Sequence, residues 1–547
     1  MKHWIIVLFL FMIPLVSSAD VLVYSGGTMD ADEVFSSEIQ AADLVIFKSV
    51  TFIPEDYYYT PFPDGTPKIL TFFTYGRMIF ENCNIEVIGE NGDTPSNGRG
   101  GDGGTATLSI IAIQGAEFID SNITLIGGAG GNADYQDTNI ELRGGHGGEA
   151  LLRFGQSETV RGNVFFNENS SINITTFDGG NAYASGSGDY EYEEDGGDGG
   201  NIYLLGGLSN FTSDSEVYLH AGKGGLAAAQ ANGQYNQARG QGGSAGFVNV
   251  NYFQNFTAGN IDIKTLSGGN SACDVGVDET TTAQGGDSGI ILINVTGDFK
   301  LKSTTSDSFF SQGNPGDQCA DAATGSYTAS ASGIDGAPTS FLFNSFILQD
   351  HTINISLGGG GDSDADGDTA SDGGDSSTLY FNGTSFEIIN SSLNIKTFPA
   401  GNEHGDQGAD GGKSDILFNT DLVINLDSEI NIVQDATENQ CAIGGDIAFR
   451  GDVNISSATI YLNASQGGGA VIGGDASCVA GHGGHIIINS TEVNLIDTSL
   501  HLQSGYGDSG VNSNANSGNV ELTPYFGYKQ ISKKRHQLVQ MLGIYLH

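Results

Sequence analysis

The feature that most constrains this chain is a unit of short alternating segments, punctuated by Gly-Gly pairs, that repeats along nearly all of its length. One family reads apolar-polar-apolar: Asn84-Ile85-Glu86-Val87, Asn122-Ile123-Thr124-Leu125, Ser171-Ile172-Asn173-Ile174 and Thr352-Ile353-Asn354-Ile355. It returns as Ser392-Leu393-Asn394-Ile395, Glu429-Ile430-Asn431-Ile432 and Ser499-Leu500-His501-Leu502, with Phe299-Lys300-Leu301-Lys302 as a weaker copy. We term these C strands, because strict alternation is the mark of a half-buried strand. A second family follows each Gly-rich loop, as in Thr107-Leu108-Ser109-Ile110, Asn201-Ile202-Tyr203-Leu204 and His485-Ile486-Ile487-Ile488, and forms the A strands. Shorter B strands lie between, for example Glu117-Phe118-Ile119 and Phe386-Glu387-Ile388-Ile389.

The unit is therefore A–B–C–loop, recurring every ~33 to 52 residues, with the length variation concentrated after C. A fixed unit with insertions at one site describes a solenoid whose loops share one face. One coil alone cannot bury its inward residues, whereas stacked coils bury them against like residues about 4.8 Å away. The expected fold is all-β: a right-handed parallel β-helix of 11–12 coils, each of three short strands, with variable Gly/Asp-rich loops on one face. A β-propeller shares the repeat length, but its four-stranded blades do not match three strands and one hypervariable loop. The 83 glycines then have a structural task, since sharp turns need positive φ and close backbone approach needs the missing Cβ.

The ends differ from the repeats. Residues 1–19 carry Lys2, an apolar run from Trp4 to Val16 and small residues at Ser17-Ser18-Ala19, the pattern of a secretory signal peptide. The mature chain is expected to be exported, secreted or extracellular and associated with a cell surface, with no transmembrane segment. Residues 20–67 are expected to form an N-terminal cap that covers the open edge, 68–523 the β-helix, and 524–547 a basic tail. That tail, with Lys529, Lys533, Lys534 and Arg535, reads equally as an amphipathic capping helix, an unstructured tail or sequence foreign to the protein. The formal net charge of −45 argues against nucleic acid or an anionic membrane as partner, since both are polyanions.

Several groups are candidates for chemistry. An exported chain permits disulfides. Cys273 and Cys319 lie early in the loops of adjacent coils, and Cys441 and Cys478 shortly before the Gly-Gly of adjacent coils, so Cys273–Cys319 and Cys441–Cys478 are expected bridges. Cys83 is left over on a C strand. Asp362, Asp364, Asp366 and Asp368 form a D-x-D-x-D-G-D run that matches a calcium loop in part; position twelve is Gly373 rather than Glu. The competing explanation is that aspartates in Gly-rich turns bond to nearby backbone. N-glycosylation sequons stand at Asn122, Asn173, Asn210, Asn255, Asn294, Asn354, Asn382, Asn390, Asn454, Asn463 and Asn489, and also at Asn169. Outward Asn and Ser/Thr flanking an inward apolar residue generate sequons by patterning alone. For catalysis, Gly145-His146-Gly147 and Gly481-His482-Gly483 match the Gly-His-Gly tripeptide of polygalacturonases. The accompanying Asn-x-Asp, Asp-Asp and Arg-x-Lys elements are not in the expected order, and the same histidines serve equally as turn residues.

Taken together, the Gly-Gly-x-Gly-Gly segments leading into apolar strands resemble glycine-rich right-handed β-helix surface proteins, which are similar to pectin-lyase-like and adhesin passenger folds. The resemblance covers roughly residues 68–523 and implies a fold and an extracellular role in adhesion or wall structure, with no functional residue carried over. The expected function is a secreted or cell-surface structural and adhesive rod with an acidic loop face, stabilised by calcium, whose partner is a carbohydrate or a surface protein. The alternative is a carbohydrate-active enzyme, a polysaccharide hydrolase or lyase on the same fold.

Overall fold

Alternation of period two, carried coil after coil, gives two long parallel sheets facing each other across one apolar core. A computed structural model describes residues 20–56, 65–94, 98–136, 141–155, 162–167, 169–186, 191–212, 215–231, 237–275, 281–303, 307–322, 329–331, 335–366, 374–399, 403–404, 414–435, 444–466, 482–505 and 519–524. Their architecture is a parallel β-helix. A and B strands share a 22-stranded sheet, and C strands form a second sheet of thirteen. At one rung per ~4.8 Å, thirteen rungs span about 60 Å. Among the described pairings only Glu55–Asp56 against Lys68–Ile69 is antiparallel.

Inward side chains stack in columns. In the A strands one column runs Leu70, Leu108, Leu152, Leu204, Val250, Ile293, Phe341, Phe381, Phe418, Phe449, Ile488, each in register with the next. In the B strands Phe80, Phe118, Phe166 and Phe211 stack with ring centroids 4.4–4.6 Å apart and planes within 7°. Further along, Phe346 and Phe386 repeat the arrangement at 4.5 Å. Offset stacking of rings one rung apart is what a parallel ladder offers to aromatics, and each ring is almost wholly buried.

The corner from B to C follows one rule. Ser49, Asn82, Asp120, Asn169, Asp350, Asn390, Ser457 and Asp497 all have φ between 46° and 57°, the left-handed region that Asn and Asp tolerate best. The residue after several of them turns inward beneath the corner and caps the preceding coil. Ser121 Oγ accepts from Cys83 N at 3.0 Å, Ser170 Oγ accepts from Ser121 N at 3.2 Å, and Ser391 Oγ accepts from His351 N at 3.1 Å. Cys83 is one member of this corner column, its thiol donating to Phe47 O at 3.4 Å, and so precedes the C strand on which it was expected.

Three expectations need revision. First, the coils begin earlier: Val21–Ser25 pairs with Leu44–Lys48, which pairs with Arg77–Glu81, so much of the expected cap already belongs to the ladder. Two short helices, Ala31–Val34 and Ser37–Ala41, interrupt it there. Second, Phe299–Lys302 is a B segment, in register with Phe256 and Phe346; the C strand of that coil is Ser308–Ser311. Third, the variable loops after C carry strands of their own where they are described, beyond the three expected per coil. They build a second lobe from a seven-stranded and a five-stranded parallel sheet. The first includes Ala133–Gln136, Ala182–Gly186, Ala227–Ala231 and Ser271–Val275; the second includes Glu141–Arg143, Glu191–Asp195 and Gln237–Gln241. Their shared core is small residues: Ala133, Ala182, Ala184, Ala229, Ala238, Cys273, Ala283 and Ala320, with Leu142.

Because Phe166 lies in the middle of the stacked column, Phe166→Ala removes ring contacts on both sides. The expected cost is about 3–5 kcal/mol, measured as a lowered denaturant midpoint with the slope unchanged.

Candidate functional site

The two lobes meet at a seam made almost wholly of glycine. Each coil crosses it twice, leaving the main lobe after C and returning before A. The outgoing glycines 131, 180, 225, 269 and 316 alternate with the returning glycines 101, 145, 197, 243 and 286. Gly131 N donates to Gly101 O, Gly145 to Gly131, Gly180 to Gly145, and so on to Gly316, in nine consecutive hydrogen bonds of 2.7–2.9 Å. A Cβ on Gly145, Gly180, Gly197 or Gly225 would lie 1.9–2.0 Å from the carbonyl oxygen of Gly101, Gly131, Gly145 or Gly180 respectively. Those oxygens are backbone and cannot swing away. None of these glycines has φ in the left-handed range. Of the two uses expected for glycine, the seam therefore shows close backbone approach through the absent side chain, as the crowded axis of collagen does, and not positive φ.

Acidic and amide side chains flank the seam and bond to the backbone of the following coil. Asp102 Oδ1 accepts from His146 N at 2.8 Å, His146 Nδ1 accepts from Asp198 N at 3.0 Å, and Asp198 Oδ1 accepts from Ser244 N at 2.8 Å. Asp178 takes Lys223 N, Asn181 takes Leu226 N, and Asn201 takes Phe247 N. Near the other end Asp415 takes Asp446 N at 2.9 Å and Asp446 takes His485 N at 2.8 Å. Bonds from N–H to an ionised carboxylate are the stronger kind. Part of the chain's acidity is thus placed in staples between coils. His146 is a staple too: the Asp198 carboxylate, whose Oδ2 lies 3.3 Å from Nδ1, raises its pKa above the ordinary histidine value, against the opposing effect of burial. His482 contributes its carbonyl to Gly444 N at 2.7 Å, and Gly481 lies outside the described residues.

Inside the second lobe lies a charge-bearing group that the sequence does not announce. Glu194 stands in register between Leu142 and Gly240 and is fully buried. Neither of its carboxylate oxygens has a hydrogen-bond partner among the described residues. Burial, with Asp195 and Glu193 nearby, pushes its pKa up to about 9. Cys273 occupies the same core, donating its thiol to Thr282 O at 3.2 Å. Burial and the Glu194 charge push that thiol up to about 12. Only the parity of alternation along Glu191–Asp195 could have marked Glu194 as inward-facing.

The expected disulfide Cys273–Cys319 is not formed, and register explains why. Cys273 pairs with Ala320, and Cys319 with Ala272. A one-residue offset puts the two side chains on opposite faces: Cys273 is a buried free thiol and Cys319 is exposed. Cys441 and Cys478 lie outside the described residues. Of the calcium run, Ser363–Asp366 is extended strand, with Asp364 beside Cys319 and Asp366 beside Asp321, whereas a calcium loop wraps its ion. Asp362 N donates to Asp317 Oδ1 at 3.4 Å, and Asp368 lies outside the described residues. Among the described residues no three His, Cys, Asp or Glu side chains converge as a metal site. The sequons divide by exposure. Asn122, Asn169, Asn173, Asn210, Asn255, Asn390 and Asn489 are exposed; Asn294, Asn354, Asn382, Asn454 and Asn463 are half-buried on strand faces. Three of the latter accept from an asparagine one coil on, as Asn382 does from Asn419 at 2.8 Å.

Two measurements follow. Gly180→Ala or Gly225→Ala drives a Cβ into backbone and is expected to cost on the order of 3–5 kcal/mol. Gly162→Ala, whose nearest contact would be 3.4 Å, is expected to stay within about 0.5 kcal/mol in the same melting assay. For Glu194 the folded pKa, about 9, exceeds the ordinary 4.5 of the unfolded chain. Stability is therefore full below the unfolded value and is lost as pH rises through the folded one, by at most about 1.4 kcal/mol per pH unit. Glu194→Gln is expected to flatten that decline between pH 5 and pH 9 in a series of melting curves, as ~pH limits set by those two values.

No helix among the described residues is long and apolar enough to cross a membrane. Compared with known proteins, the chain matches no family model, no curated protein and no solved structure.

Proposed function

We propose that this chain is an exported structural and adhesive rod of the cell surface or extracellular space. The observation that carries the reading is the locking of two parallel ladders by the glycine seam, coil by coil from Gly101 to Gly316. Such a cross-section leaves little room for the hinge or lid that many enzymes close over substrate. It suits a body whose task is to hold a length and present surfaces. The acidic staples fit the same reading, because their carboxylates already accept backbone N–H groups and need no cation to be satisfied. The exported location rests on residues 1–19, and the adhesive role on the likeness in pattern to glycine-rich β-helix surface proteins. Its partner in this reading is a carbohydrate or a protein of another surface.

The test is location. The full chain, tagged within residues 525–547 and expressed in its own cells, is expected in the medium or on intact cells, where added protease removes the tag. Retention in the cytosol of unbroken cells would sink the proposal.

A further inference from the structure

A polar cleft of about 410 Å³ opens near the C-terminal end of the rod, at the corner between A and B strands. It arises from a mismatch in corner length. Phe418, Phe449 and Ile488 are in register, as are Leu422, Val453 and Val493. The corners between them are Asn419–Asp421, Arg450–Asp452 and Asn489–Glu492, so the third is one residue longer than the two before it. The surplus residue lies in the corner whose Asn489, Ser490 and Thr491 line one side of the cleft. Gly451 forms the floor; a Cβ there would lie 2.2 Å from Thr420 O.

The lining is wholly suited to hydroxyl groups. Asp421 and Asp452 are fixed because one oxygen of each accepts a backbone N–H from the next coil, Asp452 N at 2.9 Å and Glu492 N at 3.0 Å. Thr491 Oγ1 also donates to Asp452 Oδ1. Among the described residues the second oxygen of each carboxylate has no hydrogen-bond partner, and neither has the guanidinium of Arg450, which is exposed and lines the same cleft. Asn489 adds an amide at the rim. Two fixed carboxylates, a five-donor cation and an amide lining one cleft match a vicinal diol, in which each hydroxyl both donates and accepts. An anion would meet two carboxylates and a strongly negative chain. A divalent cation would meet Arg450 and too few ligands. No aromatic or wholly aliphatic side chain lines the cleft, so an apolar ligand would meet only the carbon atoms of polar side chains and backbone.

We propose that this cleft binds a neutral saccharide through a vicinal diol. The inference deepens the adhesive reading and rests on it for the ligand's biological source, but the binding itself is independent of location. That source is either a free glycan or the chain's own: Asn489-Ser490-Thr491 is a sequon at the cleft's edge, so a glycan there would reach the site directly.

The experiment uses the full chain prepared with and without N-glycans, probed with methyl hexosides, hexuronates and calcium by saturation-transfer NMR and titration calorimetry. Neutral hexosides are expected to bind with Kd of about 1 mM or tighter, and hexuronates at least tenfold more weakly. Arg450→Ala is expected to weaken hexoside binding at least tenfold while leaving the melting temperature unchanged, since its guanidinium holds no structural contact. Binding confined to the glycan-free preparation identifies the chain's own glycan as the occupant and upholds the assignment. Absence of hexoside binding in both preparations overturns it, as does undiminished binding by Arg450→Ala or a preference for hexuronate or calcium. None of these outcomes bears on where the protein resides, so the two proposals fail separately.

Discussion

Everything in this structure depends on how closely two backbones can approach. At the seam the outgoing and returning segments of neighbouring coils come within direct N–H···O contact along nine successive bonds. That distance excludes even a methyl group. The main lobe could stack without the seam, because its columns of Phe, Ile and Leu bury apolar area on their own. The second lobe could not. Its alanine core buries little area per residue, so it borrows order from the ladder beside it. Glycine costs conformational entropy on folding, and a chain with 83 of them incurs that cost many times. The seam's unbroken hydrogen bonds, kept away from competing water, offset it.

Acidity has the same origin. Wherever the chain turns from strand to seam, a backbone N–H must find an acceptor, and Asp or Asn one coil earlier supplies it. A ladder of this kind repeats as long as the coils do, so carboxylates accumulate in proportion to length. The charge of the chain then reflects how it is stapled more than what it binds. Glu194 departs from this pattern, being buried in a core of alanines with no hydrogen-bond partner among the described residues. It survives there by holding its proton.

How much of this could be read from residues alone follows from the physics of alternation. The main lobe was legible because its inward residues are large, so period two stands out in segments such as Ser428–Gln434, where Ile430 and Ile432 alternate with polar residues. The second lobe was not, because Ala227–Ala231 and Gln237–Gln241 carry the same period in residues that hydropathy barely separates. Proximity of Cys273 and Cys319 was correctly inferred, but a single residue of register decides which face each takes, and no local pattern records it. Phe299–Lys302 misled for a related reason: where A and B fuse into the single strand Ile291–Lys302, the boundary that separates one family from the next disappears. The cleft at Arg450 was invisible because it follows from comparing corner lengths between coils already placed in register.

The second lobe also changes what kind of object this is mechanically. A single stacked column bends easily about its thin axis, since resistance to bending grows with the square of the distance of material from the centre line. Setting a second ladder off to one side, and tying it at every coil, works as a flange does on a beam. The tie has to carry shear between the two ladders, and a web of short backbone hydrogen bonds with no side chains to slip past one another is well suited to that. Among the described residues the five-stranded sheet runs from Glu141–Arg143 to Ala329–Ala331, and the C sheet from Thr28–Asp30 to Ser499–Gln503. Among the described residues both sheets of the flange accompany the coils between Ala133 and Ala331, and it is there that the cross-section is deepest and bending most strongly resisted.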